Sequence, residues 1–248
     1  MLRIENLSVS VAGRQLLREV SLEVSGGAAV ALVGESGSGK TTLLGACLGL
    51  LPPEMRVAGR VDWQRRNLLD CTPAEWRRLR RRELALIPQE PSAALDPRRT
   101  AAAHLRECLP GGSVPARVQQ LWAQAGLADA PHDSYPHQWS GGMQQRLLIA
   151  MALARRPQML LADEPTSALD PLHQAQLLAL IAHLSRSSGF GLLWVTHDLA
   201  AAAQIAEQVV VLRAGSVVEQ GTVARVFTRP QSAYTAALVR QQPGWSRT

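Results

Sequence analysis

The stretch Ala28-Ala-Val-Ala-Leu-Val-Gly34-Glu-Ser-Gly-Ser-Gly39-Lys-Thr41 decides how the 248-residue chain is to be read. Its first six residues form a short continuous apolar run, the pattern of a strand covered on both faces. Its last eight match G-x-x-x-x-G-K-[ST] in full. Gly34, Gly37 and Gly39 let the backbone wrap a phosphate without Cβ obstruction. The N–H groups of Glu35, Ser36 and Ser38, with the start of the helix that holds Thr41 and Thr42, then face the β-phosphate. Lys40 reaches the β- and γ-oxygens, and the Thr41 hydroxyl is placed to ligate Mg²⁺. At this chain's glycine and Ser/Thr frequencies, a given lysine would have these neighbours roughly once in a thousand trials. Lys40 is the only lysine: of 26 basic residues, the other 25 (26 less one) are arginine. A compact ammonium stands where a bulkier guanidinium fork would not serve.

Outward from this loop, two more apolar runs read as buried strands, Met159–Ala162 and Phe190–Val195. The first ends in Asp163-Glu164-Pro165. In open α/β sheets ligands bind beyond such strand ends, so Asp163 is placed to hold Mg²⁺ and Glu164 to polarise an attacking water as general base. A strand is also expected at 84–88, and helices at 40–50, 143–155, 171–186 and 198–206. Alternating apolar and polar residues at 2–11 and 17–24 predict half-buried antiparallel strands, and 57–64 a further edge strand. A Pro-rich loop follows at 88–98. Residues 100–128 read as two helices broken at Pro110-Gly-Gly112, and Val209–Arg213 with Val217–Glu219 as a hairpin. The fold class is therefore α/β, with a mostly parallel core sheet, an antiparallel β layer and a helical subdomain inserted over about 99–156. One domain spans 1–248, with a short helical tail from about 222.

Composition excludes several classes. Apolar residues make up 46% and charged residues 19%, ordinary values for a globular chain. No apolar run reaches the roughly 18 residues of a transmembrane span, and the start lacks a secretory signal, so a cytosolic protein is expected. Cys47, Cys71 and Cys108 have neither metal-ligand nor disulfide spacing. The run Trp76-Arg-Arg-Leu-Arg-Arg-Arg82 reads as a solvated helix face. It lacks the interleaved aromatics of a single-strand binder, and no nucleic-acid partner is expected.

With the loop and acidic pair in place, the chain resembles the ATP-binding subunits of ABC transporters over residues 1 to about 240. Four more motifs stand in family order: Gln89 in Ile87-Pro-Gln-Glu-Pro, Trp139-Ser-Gly-Gly-Met-Gln-Gln-Arg146, Ser167-Ala-Leu-Asp170, and His197 in Val195-Thr-His-Asp. The resemblance implies the ABC ATPase form of the P-loop NTPase fold, and ATP with Mg²⁺ as cofactors. It implies that Gln89 contacts Mg²⁺ and the water and couples to the membrane partner, and that His197 touches the γ-phosphate. It also implies that Ser140, Gly141 and Gly142 meet the nucleotide of a second subunit in a head-to-tail dimer, with Asp170 in the adjoining loop. Taken from the residues alone, Ser140-Gly-Gly142 also reads as a helix N-cap. This chain departs from the family at Trp139 and Met143, where Leu and Gln are usual. It also has no aromatic near residue 11 to stack on adenine.

Gln89-Glu-Pro-Ser-Ala-Ala-Leu-Asp-Pro97 and the tail Val218-Glu-Gln-Gly…Pro230-Gln-Ser-Ala-Tyr-Thr-Ala-Ala-Leu238 resemble peptide and nickel importer ATPases. Because the sequence ends at Thr248 without a cysteine cluster, the nickel or metal-chelate type is the narrower expectation. The partners implied are transmembrane permease subunits, a second ATPase subunit (a copy or a paralogue) and, indirectly, an extracytoplasmic solute-binding protein. The place implied is the cytoplasmic face of the inner membrane, peripherally attached. A rival reading is the ATPase of a soluble carbon–phosphorus lyase complex of phosphonate metabolism, whose relative also reads GKTTLL and SGGMQQR.

Overall fold

The computed structural model describes residues 1–109, 115–167 and 169–242. Two sheets carry the architecture. The apolar runs form β3 (Ala29–Val33), β7 (Met159–Asp163) and β8 (Gly191–Thr196), every residue of which is buried. With β6 (Leu84–Ile87) and β9 (Gln208–Arg213) they make a parallel sheet, edged by antiparallel β10 (Ser216–Thr222), in the order β10-β9-β3-β8-β7-β6. The second sheet is antiparallel, in the order β2-β1-β4-β5, from β1 (Leu2–Val11), β2 (Arg14–Val24), β4 (Arg56–Trp63) and β5 (Arg66–Asn67). The strand expected at 57–64 therefore lies inside its sheet, paired with β1 on one side, and the two-residue β5 takes the edge.

The two-residue period of a strand explains how two cores share one set of strands. Val30, Leu32, Leu161, Leu193 and Val195 point toward the antiparallel sheet and pack with Leu2, Ile4, Leu7 and Val61. Ala31, Val33, Leu160, Leu192 and Trp194 point the other way, into a core completed by helices. That second core contains α4 (Ala101–Cys108), α5 (Pro115–Gln124) and α6 (Gly141–Ala154), all between β6 and β7 in the chain. The break expected at Pro110-Gly-Gly112 lies outside the described residues. The loop 88–98 contains a short helix, α3 (Pro91–Ala94), and α6 starts two residues earlier than its pattern suggested, because Ser140 caps it.

The arginine run belongs to α2 (Pro73–Arg82). Thr72 and Glu75 form a reciprocal capping box, with Pro73 in the first turn. The Thr72 N–H and hydroxyl and the Arg66 guanidinium hold the Glu75 carboxyl down at about 2. Trp76 and Leu79, three apart, are buried, while Arg77, Arg78, Arg81 and Arg82 face solvent. Trp76 packs on Gly49, the left-handed cap (φ 61°) that ends α1 (Lys40–Leu48). A Cβ on Gly49 would stand 2.2 Å from Trp76 Cε2. Gly49→Ala should lower the unfolding free energy by about 2 kcal/mol, from overpacking and backbone strain together. Urea unfolding of the two proteins measures the difference.

Candidate functional site

A cavity of about 1210 Å³ opens at the C-terminal ends of the parallel strands, where β3 runs into the glycine loop and α1. Gly34, Glu35, Ser36, Gly37, Gly39, Lys40, Thr41 and Thr42 line it, together with Gln89, Glu164 and His197. Gly39, immediately before α1, has φ 108°, and a Cβ there would sit 2.7 Å from Leu17 Cδ2. The loop can therefore follow this path only with glycine at that position. Ser38 is buried inside the loop, and its hydroxyl has no hydrogen-bond partner.

Lys40 is 5% exposed. Its ammonium donates to the Gly34 and Glu35 carbonyls at 2.7 and 2.9 Å and lies 3.4 Å from Glu164 Oε1. The other carboxylate oxygen of Glu164, Oε2, is 2.9 Å from Nδ1 of the exposed His197. Glu164 thus bridges a buried cation and an imidazole across the cavity floor. Its backbone has φ 42°, a left-handed conformation rare outside glycine. Its N–H still donates to the Val195 carbonyl at 2.9 Å, and its carbonyl accepts from Ser167 N and Oγ. The strand ladder therefore ends at this residue, and strain of this kind gathers at functional sites.

Asp163, one residue earlier, is buried beneath the loop. Burial pushes its carboxyl above the usual range, partly opposed by a hydrogen bond from the Thr41 side chain. Its Oδ1 has no hydrogen-bond partner. An unpartnered buried carboxylate oxygen beside a hydroxyl suits a small hard cation with oxygen ligands. Among the described residues no group of three or more His, Cys, Asp or Glu could hold a metal alone. A cation at Asp163 and Thr41 would take its remaining ligands from Gln89, phosphate and water.

Four expected residues lie elsewhere. Ser140, Gly141 and Gly142 open α6, with the Ser140 hydroxyl accepting from Met143 N at 3.3 Å. Asp170 caps α7 (Pro171–Ser188), accepting from Leu172 N and His173 N at 3.1 Å each. None of the four lines the cavity. Conversely, the cavity is also bounded by residues that none of the nucleotide-site motifs marked. Gly13, Arg14, Gln15, Leu16 and Arg18 come from the β1–β2 hairpin, Leu199, Leu238 and Gln241 from helices late in the chain, and Gln242 from just past the last of them. Among the described residues, no Phe, Trp or Tyr lines it.

The charge on Asp163 opposes folding. Its folded pKa lies above the unfolded one, so this penalty is absent at acid pH and develops as pH rises through the folded value. Asp163→Asn should therefore melt at a higher temperature than wild type at neutral pH. The gap should close as pH falls into the ordinary carboxylate range, and calorimetry across pH tests both.

The family model for ABC transporters matches residues 17–167. The dipeptide transport ATP-binding protein DppD of Lactococcus lactis subsp. cremoris is 38% identical over 257 residues, covering 98% of this chain and 74% of that protein. The dipeptide transport ATP-binding protein DppD of Escherichia coli is 38% identical over 260 residues, covering 100% of this chain and 80% of that protein. Among solved structures, the dimeric post-hydrolysis state of the ATP-binding cassette MJ0796 bound to ADP and Pi superposes with a TM-score of 0.78 at 29% identity. It covers 90% of this chain and 99% of its own. With the phosphate loop, the acidic strand end and the helical insertion arranged as described, the chain belongs to the ABC transporter family.

Proposed function

We propose that this chain binds and hydrolyses ATP to power a membrane importer. The observation that carries the reading is Glu164, held between Lys40 and His197 in the cavity that the glycine loop lines. In this reading the Lys40 ammonium, N–H groups of the glycine loop beyond Glu35 and the start of α1 hold the triphosphate. Glu164 accepts the proton of the attacking water, whose oxygen bonds to the γ-phosphorus as the bond to the ADP oxygen breaks. His197 Nδ1 holds the Glu164 carboxylate in register for that transfer. Gln89, on the cavity rim after β6, orients the water. Asp163, Thr41 and Gln89 would hold Mg²⁺, which when bound would supply positive charge against the phosphates.

Ser140 and Gly141 are exposed and outside the chain's own cavity, which supports their acting on the nucleotide of a second subunit. Asp170, at the exposed start of α7, belongs to the same interface. We read the chain as one domain, with Gln89 coupling it to transmembrane permease subunits. A solute-binding protein acts through those permeases. No helix among the described residues is long and apolar enough to cross a membrane, which fits peripheral attachment to the cytoplasmic face. The names of the relatives support peptides as the cargo rather than a nickel chelate. They also support transport rather than phosphonate cleavage.

Glu164→Gln should retain ATP binding and lose hydrolysis by about 10²–10⁴-fold, the usual weight of a general base. Lys40→Ala should lose binding itself. Calorimetric titration with ATP, beside a phosphate-release assay, separates the two. Wild-type turnover in either variant would remove the assignment.

A further inference from the structure

The last two helices approach the cavity from a side that none of the nucleotide-site motifs covers. Helix α9 (Val223–Thr228) leads into α10 (Ala233–Gln241), which is pinned at its start by Glu219 of β10. The buried Glu219 carboxylate accepts from Gln231 N and Ser232 N, both at 3.0 Å. Burial acts to raise this carboxyl, but those N–H groups and the Thr235 hydroxyl hold it below the usual range. Tyr234 packs its ring under the Arg213 guanidinium at 4.8 Å, and its hydroxyl accepts from Glu35 N, in the phosphate loop, at 3.2 Å. Leu238 is buried in the helical-side core. Each of these contacts fixes where the end of α10 falls.

At that end stands Gln242. Its Nε2 donates to the His197 carbonyl at 2.6 Å, and its Oε1 accepts from Leu199 N at 2.7 Å. Leu199 is the first residue of α8 (Leu199–Ile205). The first N–H groups of a helix have no partner within it. Here the Asp198 carboxylate takes those of Ala200 and Ala201, at 2.8 and 3.1 Å, and the Asp198 carbonyl takes that of Ala202 at 3.0 Å. Asp198 is itself held by Gln174 Nε2 at 2.7 Å and, through its N–H, by Thr196 Oγ1 at 3.0 Å. Gln242 meets the Leu199 N–H and the His197 carbonyl from more than forty positions away. One group must be met by an acceptor and the other by a donor, and an amide side chain supplies both.

We infer that Gln242 is a positioning residue for hydrolysis: through the His197 carbonyl and the Leu199 N–H it sets the His197 turn so that Nδ1 stays on Glu164. The inference rests on the ATPase reading above. Tail and active site are thereby one mechanical unit, with α10 joining the phosphate loop at Tyr234 to the His197 turn at Gln242. The quoted tail residues Glu219, Ser232, Tyr234, Thr235 and Leu238 are the anchors of this strap.

The test uses the full chain in the complex it forms with its partner subunits. In Gln242→Ala the Leu199 amide should exchange hydrogen faster without nucleotide. The kcat should fall by about ten-fold while the KM for ATP stays within about two-fold. In a His197→Ala background the same change should add no further loss. Gln242→Glu keeps an acceptor for Leu199 but removes the donor to His197, so amide protection should survive while kcat still falls. An unchanged kcat in either variant overturns the inference, as does an equal further loss in the His197→Ala background or a raised KM at constant kcat. A wild-type complex that fails to hydrolyse ATP would instead strike at the ATPase reading, before any Gln242 variant is compared.

Discussion

Burying an ammonium is tolerable only when its N–H groups find acceptors and its charge finds a partner. Lys40 meets both conditions with two loop carbonyls and Glu164. The loop must curl back over its own lysine, which requires glycine at the bend. Glu164 must stand at the end of β7, two strands from the loop, which requires the order β3-β8-β7. The carboxylate that neutralises the ammonium also faces His197, so one electrostatic contact links strand ends that are far apart in the chain.

The two cores support this arrangement from opposite faces. Strands β3, β7 and β8 are clamped between the antiparallel sheet and the helices, and their side chains alternate between the two. A strand buried on both faces has little freedom to shift register, since a one-residue slip would exchange its two packed surfaces. The strand ends that carry Gly34, Asp163–Glu164 and His197 are correspondingly well fixed. The strained backbone of Glu164 is held by packing and hydrogen bonds on either side of it. The unpartnered Asp163 oxygen is tolerated in the same setting, and it favours a ligand over stability.

The motif residues were legible because phosphate binding, metal ligation and proton transfer each restrict residue type at short spacing. The parallel core was legible from continuous apolar runs, and the start of α6 from Ser140. The position of β4 was not, since an edge strand and its inner neighbour share the same alternation, and two residues of β5 leave no periodic signal. Nor were Arg14, Leu16, Gln241 or Gln242 visible as parts of a cavity. Each is ordinary in its local context and reaches the cavity only through folding.

By itself, then, the sequence determined the chemistry on offer: a glycine loop with one ammonium, two carboxylates at a strand end, a histidine, and serine–glycine at a helix start. These follow from local rules, because each depends on neighbours within a few residues. Only the tertiary structure decided which of these groups meet. It brought Lys40, Glu164 and His197 to one floor, left Ser140, Gly141, Gly142 and Asp170 outside that cavity, and laid the tail across it. Hydrogen bonds and ion pairs act over about 3 Å, whereas the Lys40 ammonium, the His197 ring and the Tyr234 hydroxyl join residues from five to nearly two hundred positions apart.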